Sequence, residues 1–169
     1  MRVNNSFFKN KTLKVAREIL GMYLIRKVGK KIFREKITEV EAYVGEHDLA
    51  CHSSKGKTKR NEVMYGEAGR IYIYLIYGMY LMLNIVTEEK DCPTAILIRA
   101  TENFKGPGVL TRELSITKSL NGKVLGTKSG LWIESGDGKK SKIIRGPRVG
   151  VSYAGPIWTK KPYRFSLKS

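Results

Sequence analysis

The spacing of apolar residues predicts one helix near the N-terminus, followed by a β-hairpin. In residues 13–20 apolar side chains recur at nearly helical intervals, with Thr12 as a candidate N-cap and Gly21 as a stop signal. Residues 22–28 and 32–43 are rich in β-branched and aromatic residues, and the glycine and lysines between them suit a turn. We therefore expect a helix that precedes two antiparallel strands.

A second hairpin is predicted in the middle of the chain. Residues 70–76 and 79–86 are apolar runs that are interrupted by Tyr77 and a glycine. Two other tyrosines of these runs, Tyr72 and Tyr80, are interpreted as core residues, because aromatic strand residues usually pack inside. Tyr77 is expected at the hairpin tip, where few neighbours can bury its ring.

Shorter patterns complete a single mixed α+β domain over residues 1–169 with a largely antiparallel β core and flanking helices. Its length supports one sizeable core but not two ordinary domains, and there is no internal repeat or linker. Further elements are expected as follows: a strand at 94–99, a helix at 109–115, a strand-like island at 131–133 within the glycine- and lysine-rich stretch 118–142, and closing strands at 146–151 and 163–165.

Composition gives the chain a strong positive charge. Lysine and arginine number 32 against 15 acidic residues, a net charge of +17. Nucleic acid is the leading candidate for a partner that neutralises this excess, although lysine-rich surfaces also keep proteins soluble and charge alone does not decide. Residues 53–60 combine turn residues and cations without apolar periodicity. They predict an exposed loop whose phosphate-contacting residues would be Lys55, Lys57, Lys59 and Arg60.

The cysteines and the N-terminal residues indicate the cellular compartment in which the protein is expected. Cys51 and Cys92 stand far apart without a CxxC pair, so a disulfide framework is not indicated and a reducing compartment is expected. The N-terminal residues lack the apolar core of a signal peptide, and the apolar run 71–86 falls short of the ~20 residues that span a bilayer. We expect an intracellular protein of the cytoplasm or nucleoid, with no signal peptide, no transmembrane segment and no membrane partner.

A short segment holds three potential metal ligands, His47, Cys51 and His52. Because no second cluster follows at motif spacing, a histidine with a structural or substrate-contacting role is favoured over a metal site. The chain also lacks a P-loop, a GxGxxG fingerprint and a GxSxG elbow. No metal and no cofactor are expected.

Alternation along the strand predicted at 32–43 places Glu39, Glu41 and Tyr43 on one face. Two carboxylates on one face are candidates for acid–base chemistry. The ordinary interpretation is an exposed sheet face with glutamates outside, and the alternation alone favours it.

Several separated motifs, in order along nearly the whole chain, resemble the alkyladenine (3-methyladenine) DNA glycosylase family. They run from the helix ending at 19–21 to Phe165, which makes chance similarity improbable. The matching segments are Glu41-Ala42-Tyr43, Asp48, His52-Ser53, Arg60-Asn61, Met64-Tyr65-Gly66, YIYLIYGMYLMLN at 72–84, Arg99-Ala100, PRVGVSYAG from Pro147, and KPYRF from Lys161.

The resemblance implies a monofunctional, metal-independent glycosylase of base excision repair whose β-hairpin enters DNA. Such an enzyme flips an alkylated or deaminated purine out of double-stranded DNA and hydrolyses its bond to the sugar with an activated water, leaving an abasic site. The partner would be duplex DNA with a damaged purine, and the protein would act as a monomer. An inactive nucleic-acid-binding protein of the same fold is the alternative, against which Glu41 and Arg99 argue; a metal-dependent nuclease would need further ligands.

The resemblance also gives roles to individual residues. Tyr77 matches the residue that fills the gap left by the flipped nucleotide. Glu41 matches the residue that activates water, and Arg99 matches an arginine beside that water whose charge should keep Glu41 ionised. Asn84 matches the position that excludes guanine by a clash with its 2-amino group. The residues that match the walls of the base pocket are Tyr43, His52 and Tyr74.

Two further positions complete the expected site. Arg148, within PRVGVSYAG, is assigned with the loop cations as a contact to DNA phosphate. Tyr80 stands where histidine is frequent in the family. Because it lies next to the hairpin tip, we expect it to influence substrate preference rather than the class of reaction.

Overall fold

The computed structural model describes residues 1–138 and 141–168, and its strands there form one antiparallel sheet, as the sequence predicts. Positions 139 and 140, in the predicted glycine- and lysine-rich stretch, and position 169 lie outside the described residues. The strands are β1 Tyr23–Val28, β2 Lys31–Tyr43, β3 Ile71–Ile76, β4 Tyr80–Thr87, β5 Thr94–Thr101, β6 Leu131–Glu134, β7 Ile143–Gly146 and β8 Arg164–Leu167.

The long strand β2 is the centre of the sheet. The strand order is β3-β4-β5-β2-β1-β6, and β8 pairs with both β2 and β7. Along one edge β2 pairs first with β1 and then with β8, while its other edge pairs with β5. The register between β2 and β5 shifts on either side of Glu39, which marks a β-bulge just before Glu41.

Three short helices flank the sheet within the described residues: α1 Thr12–Glu18, α2 Pro107–Glu113 and α3 Gly155–Trp158. Helix α1 packs on β2 and β5, and α2 packs on β4 and β5. Fully buried aliphatic side chains from the sheet, such as Val40, Ile96 and Ile98, join residues of α1 in the main core. None of these described helices has the length and apolar character that a membrane crossing needs. The prediction of a mixed α+β domain is confirmed.

The start of α1 corrects the prediction that Thr12 caps the helix. Thr12 is the first helical residue, and Lys11 at the N-cap position offers no side-chain bond. Instead the backbone N–H and the hydroxyl of Thr12 both donate to Oε1 of Glu88, at 3.0 and 2.8 Å. A carboxylate distant in sequence therefore satisfies the helix N-terminus, where negative charge is favoured.

Two other predictions differ from the structure. Residues 146–151 are not a strand, because β7 ends at Gly146 and residues 147–151 form a loop, here called the 147–151 loop. Tyr80 is 46% exposed, whereas Tyr72 is fully buried, so the core assignment is right for only one of these two tyrosines. The predicted loop at 53–60 is confirmed; it belongs to a longer connection between β2 and the turn at Glu62–Tyr65, here called the pocket loop (residues 44–61).

Candidate active site

A cavity of about 670 Å³ opens beside the β3–β4 hairpin. Its walls come from β2, β3, β4, β5, the pocket loop and the 147–151 loop, so residues far apart in the sequence meet there. All seven residues predicted as catalytic, base-binding or intercalating line it: Glu41, Arg99, Tyr43, His52, Tyr74, Asn84 and Tyr77.

Tyr77 lies at the tip of the hairpin, as predicted, with 84% of its surface exposed. Tyr77 and Gly78 have φ values of 51° and 66°, and Met79 N–H donates to Ile76 C=O across the turn. Two successive positive φ values are the pattern of a type I′ turn, the tight turn that matches the twist of a hairpin. The tyrosine is therefore held outside the protein on a short, constrained turn.

The aromatic wall of the cavity consists of nearly parallel rings. His52 stacks on Tyr74, with ring centroids 3.4 Å apart and planes 23° apart. Tyr43 faces His52 across the cavity at 6.4 Å between centroids, with planes only 18° apart. A flat ring that stacks on both sides needs about 7 Å between its neighbours, because stacked bases lie ~3.4 Å apart. The space between Tyr43 and His52, here called the base slot, is close to the thickness of one base.

His52 is held in its neutral form. Burial, followed by the nearby charge of Arg60, lowers the pKa of His52 from 6.5 to about 4. Its Nδ1 lies 3.1 Å from the hydroxyl of the buried Tyr72, which fixes the ring orientation. At neutral pH the ring thus offers an uncharged π-face to the base slot.

Glu41 is the most buried polar group of the cavity, with 0% of its surface exposed. Its Oε2 accepts a hydrogen bond from the backbone N–H of Val149 at 2.7 Å. Its Oε1 accepts from Arg99 Nη1 and from the Tyr43 hydroxyl, both at 3.3 Å. The 147–151 loop, β5 and β2 therefore each supply one donor that orients this carboxylate.

The electrostatic balance at Glu41 refines the expectation that Arg99 keeps it ionised. Burial raises the pKa of Glu41 above its ordinary value of 4.5, and the charge of Arg99 is the largest opposing influence, followed by the Val149 hydrogen bond. Burial outweighs both. The result is a carboxylate with more affinity for protons than an exposed one, which suits a group that must accept a proton.

Glu39 and Glu41 lie on the same side of β2, as the alternation predicts, and Arg99 bridges them. Arg99 Nε donates to Glu39 Oε1 at 2.9 Å, while its Nη1 reaches Glu41. The Glu39 side chain is 25% exposed and also lies 3.7 Å from Arg164. The interpretation of this face as an exposed sheet face is wrong for Glu41, which the 147–151 loop covers.

Asn84 is held at the floor of the cavity. Its Nδ2 donates to the carbonyls of Tyr72 and Met82, at 3.3 and 3.2 Å. It is 5% exposed and pairs with Tyr72 on β3 and Leu97 on β5. A buried amide with a fixed orientation can discriminate between base edges by shape and by hydrogen bonding.

The pocket loop brings His52 into the cavity and presents its cations at the surface. Asn61, buried at its end, donates from Nδ2 to the carbonyls of His52 and Gly56, both at 3.0 Å, and its Oδ1 accepts from the N–H of Thr58 at 2.7 Å. The guanidinium of Arg60 lies over the ring of Tyr74, 4.2 Å from its centroid. The four loop cations among the predicted phosphate contacts are all exposed: Lys55, Lys57, Lys59 and Arg60.

Arg148, assigned from the sequence as a phosphate contact, is buried in the structure, unlike the loop cations. Its side chain and that of Asp48 are both 0% exposed and form a two-pronged ion pair. Arg148 also donates to the carbonyl of Ala42 at 2.9 Å, and its guanidinium lies 4.8 Å from the ring centroid of Tyr43. All of these partners lie within the protein.

The remaining ligand-type residues do not converge on a metal centre. In the described part of the chain, no three His, Cys, Asp or Glu side chains are grouped so that they could hold an ion. His47 packs against the edge of Trp158, with centroids 5.5 Å apart, and Cys51 lies 3.1 Å from the hydroxyl of Ser53.

Several residues of the site were missed by reasoning on individual residue types. The Val149 N–H is invisible in a side-chain pattern, and Tyr72 was placed in the core without a role beside His52. The sequence motif that contains Asp48 predicts no role for it. The segment PRVGVSYAG is the sequence signal for Val149 and for Asp48, because it contains Val149 and also Arg148, the partner of Asp48.

The sequence of this chain is similar to those of DNA glycosylases. The sequence model of the methylpurine-DNA glycosylase family matches residues 6–169. Three similar proteins bear the name "Putative 3-methyladenine DNA glycosylase". They come from Legionella pneumophila strain Corby (44% identity over 96% of this chain and 92% of the relative), Methanocella arvoryzae (43%, over 96% and 90%) and Myxococcus xanthus (43%, over 96% and 88%).

Proposed function

We propose that this chain, which belongs to the methylpurine-DNA glycosylase family, excises damaged purines from double-stranded DNA. It hydrolyses the bond between base and sugar with an activated water and leaves an abasic site. The observation that carries this proposal is the combination, in one cavity, of a base slot with a buried carboxylate. A flipped base would occupy the slot while its sugar faces Glu41.

The base slot suits an alkylated purine. The rings of Tyr43 and His52 lie 6.4 Å apart, close to the ~7 Å that a base stacked between them needs. A purine that carries a positive charge after alkylation gains cation–π attraction from such faces. A neutral His52 does not repel that charge. Asn84 excludes guanine, since its amide would clash with the exocyclic 2-amino group. Deaminated purines such as hypoxanthine are neutral, so they stack without cation–π attraction, and a proton must be delivered to the base as it departs.

Glu41 performs the chemistry. As the N-glycosidic bond breaks, positive charge develops on the sugar, and a carboxylate beside C1′ stabilises this charge and removes a proton from the attacking water. Arg99, Val149 N–H and the Tyr43 hydroxyl leave Glu41 little freedom to rotate, so it is already oriented before DNA arrives. Water rather than a lysine is the nucleophile, which makes the enzyme monofunctional.

DNA is held by the exposed elements around the cavity. Tyr77 fills the gap that the flipped nucleotide leaves in the stack, because a rigid aromatic ring at a hairpin tip fits between base steps. The cations of the pocket loop contact the phosphates beside the lesion. One chain supplies all of these parts, which is consistent with action as a monomer.

The test is incubation with duplexes that each carry one lesion: 3-methyladenine, 7-methylguanine, hypoxanthine or etheno-adenine. Free base and an intact abasic strand are expected with the wild-type protein and not with Glu41→Gln, and 7-methylguanine, which keeps the 2-amino group that Asn84 opposes, should be released most slowly. Tight binding without release of any base would support the inactive nucleic-acid-binding alternative. Strand cleavage, or a lysine adduct trapped by borohydride, would contradict the monofunctional mechanism; Lys55, which lines the cavity, is the first lysine to examine.

A further inference from the structure

The Asp48–Arg148 pair is buried completely, although the site chemistry described so far does not use it. Removing two charges from water costs several kcal/mol per ion before their attraction is counted, so a buried ion pair is weak evidence for stability alone. Arg148 Nε is buried and has no hydrogen-bond partner. An apolar pair would fill this place with less desolvation, which indicates that the charges serve another purpose.

Asp48 organises the first half of the pocket loop. Its Oδ2 accepts from the backbone N–H of Val44 at 3.1 Å, and its Oδ1 accepts from that of Ala50 at 3.0 Å. These bonds set the path of the chain between the end of β2 and His52. The carboxylate thereby fixes one side of the base slot.

Arg148 contacts the opposite side of the slot. Its guanidinium lies between the rings of Tyr43 and Tyr163, at 4.8 and 5.3 Å from their centroids. It also holds the carbonyl of Ala42, the residue before Tyr43. The position of the Tyr43 ring, and of its hydroxyl on Glu41, thus depends on this guanidinium.

The residue after Arg148 is Val149, whose N–H is the closest donor to Glu41. The 147–151 loop has no regular structure, and Gly150 within it adopts a φ of 73°, so helix or strand bonds do not fix the direction of this N–H. The fork of Arg148 on Asp48 anchors the loop beside this donor. The charge of Arg148 also opposes the effect of burial on the pKa of Glu41.

We propose that the Asp48–Arg148 pair positions the active site, holding the Val149 N–H on Glu41 and the Tyr43 ring at the base slot, and that Arg148 makes no contact with DNA. This inference rests on the proposed function for its consequence on the rate. The geometry also predicts an effect on Glu41 that can be measured without any substrate.

The experiment compares Arg148→Met and Arg148→Lys with the wild type. The pKa of Glu41 is measured by NMR titration of protein with ¹³C-labelled glutamate, and the Glu41 signal is identified by its absence in Glu41→Gln. Arg148→Met should raise this pKa. Arg148→Lys keeps the charge and should keep most of the wild-type pKa. Single-turnover excision should slow by at least about tenfold in both variants, because small displacements of catalytic groups are costly. If Arg148→Met does not fold, the excision rate and the salt dependence of Arg148→Lys still test the proposal.

The salt dependence of DNA binding separates positioning from phosphate contact. A lost phosphate contact reduces the slope of log affinity against log salt by about 0.9. We expect that reduction in Lys57→Met, an exposed loop cation, and no reduction in either Arg148 variant. A reduced slope in both Arg148 variants, with an unchanged pKa of Glu41 in Arg148→Met, would overturn the proposal. A lower Tm with an unchanged excision rate in both variants would also overturn it. A wild-type protein that releases no base would refute the proposed function, while the titration would still decide the positioning of Glu41.

Discussion

The hairpin tip and the corner around Glu41 face the same cavity but are built in opposite ways. At the tip, Tyr77 and Met79 are 84% and 67% exposed. At the corner, Glu41 is fully buried and accepts hydrogen bonds from three different segments of the chain. One region leaves apolar surface in water, and the other buries a charge-bearing group.

Each arrangement has a cost that reveals its role. Exposed aromatic rings lose nothing when a partner covers them, so the tip is suited to binding. A buried carboxylate is tolerated only where donors and opposite charge compensate its desolvation, so the corner is suited to one fixed orientation and one reaction. Substitutions at the tip should therefore change DNA binding, and substitutions at the corner should change the chemical step.

The largest effect is expected at the corner. Glu41→Gln keeps the size of the side chain but removes its charge and basicity, so excision in single turnover should slow by at least ~10²-fold, a typical contribution of a general base. Binding to lesion DNA should remain close to that of the wild type. The matched control is Glu39→Gln, which changes the other carboxylate on Arg99 and should alter the rate far less. Equal losses of excision rate in the two variants, or a loss in Glu39→Gln alone, would contradict the assignment of Glu41 as the catalytic carboxylate.

The next effect is expected at the tip. Tyr77→Ala should weaken binding to lesion duplexes and slow their excision by roughly tenfold, because stacking on a base is worth about 1–3 kcal/mol. Single-stranded substrates should be affected less, since they leave no gap in a duplex to fill. Tyr77→Phe, which keeps the ring, should behave like the wild type. Equal losses on both kinds of substrate would indicate a folding defect instead of a wedge.

A smaller effect is expected from the cations between the two regions. Replacing Lys55, Lys57 and Lys59 with glutamine should lower the slope of log affinity against log salt by up to about 2.7, from ~0.9 per phosphate contact. An equal change of charge elsewhere serves as the control, with glutamine in place of three residues near the β1–β2 turn: Lys27, Lys30 and Lys31. If both triple variants lower the slope equally, binding depends on net charge and not on the pocket loop.

The smallest effect is a displacement of the pH profile. Because Glu41 must be ionised to accept a proton and its pKa is raised by burial, excision should fall on the acid side at a higher pH than an ordinary carboxyl value of 4.5 would give. Arg99→Gln removes the largest opposing charge, so it should raise the pKa of Glu41 further and shift this acid limb to higher pH. Arg34→Gln, which breaks a surface pair with Glu134, is the control and should leave the acid limb of the pH profile unchanged. If Arg99→Gln does not shift this limb, a group other than Glu41 titrates there.

Local patterns predicted most of the elements. Both hairpins, the first helix and the loop at 53–60 follow from periodicity and turn residues within a few positions of each other. The same patterns could not separate Tyr72 from Tyr80, since both occupy aromatic strands and only packing shows that one is covered. The Thr12 cap failed for a similar reason, because its competitor Glu88 is 76 positions away.

By itself, the sequence determined the α+β class, the shared face of Glu39 and Glu41, and the exposed position of Tyr77. Each of these depends on backbone geometry over a few residues. Only the tertiary structure decided that Glu41 is buried and Glu39 is not, and that Arg148 is buried in a pair with Asp48. The partners concerned are 108 and 100 positions apart, and burial of a charge depends on which distant donors the fold brings to it.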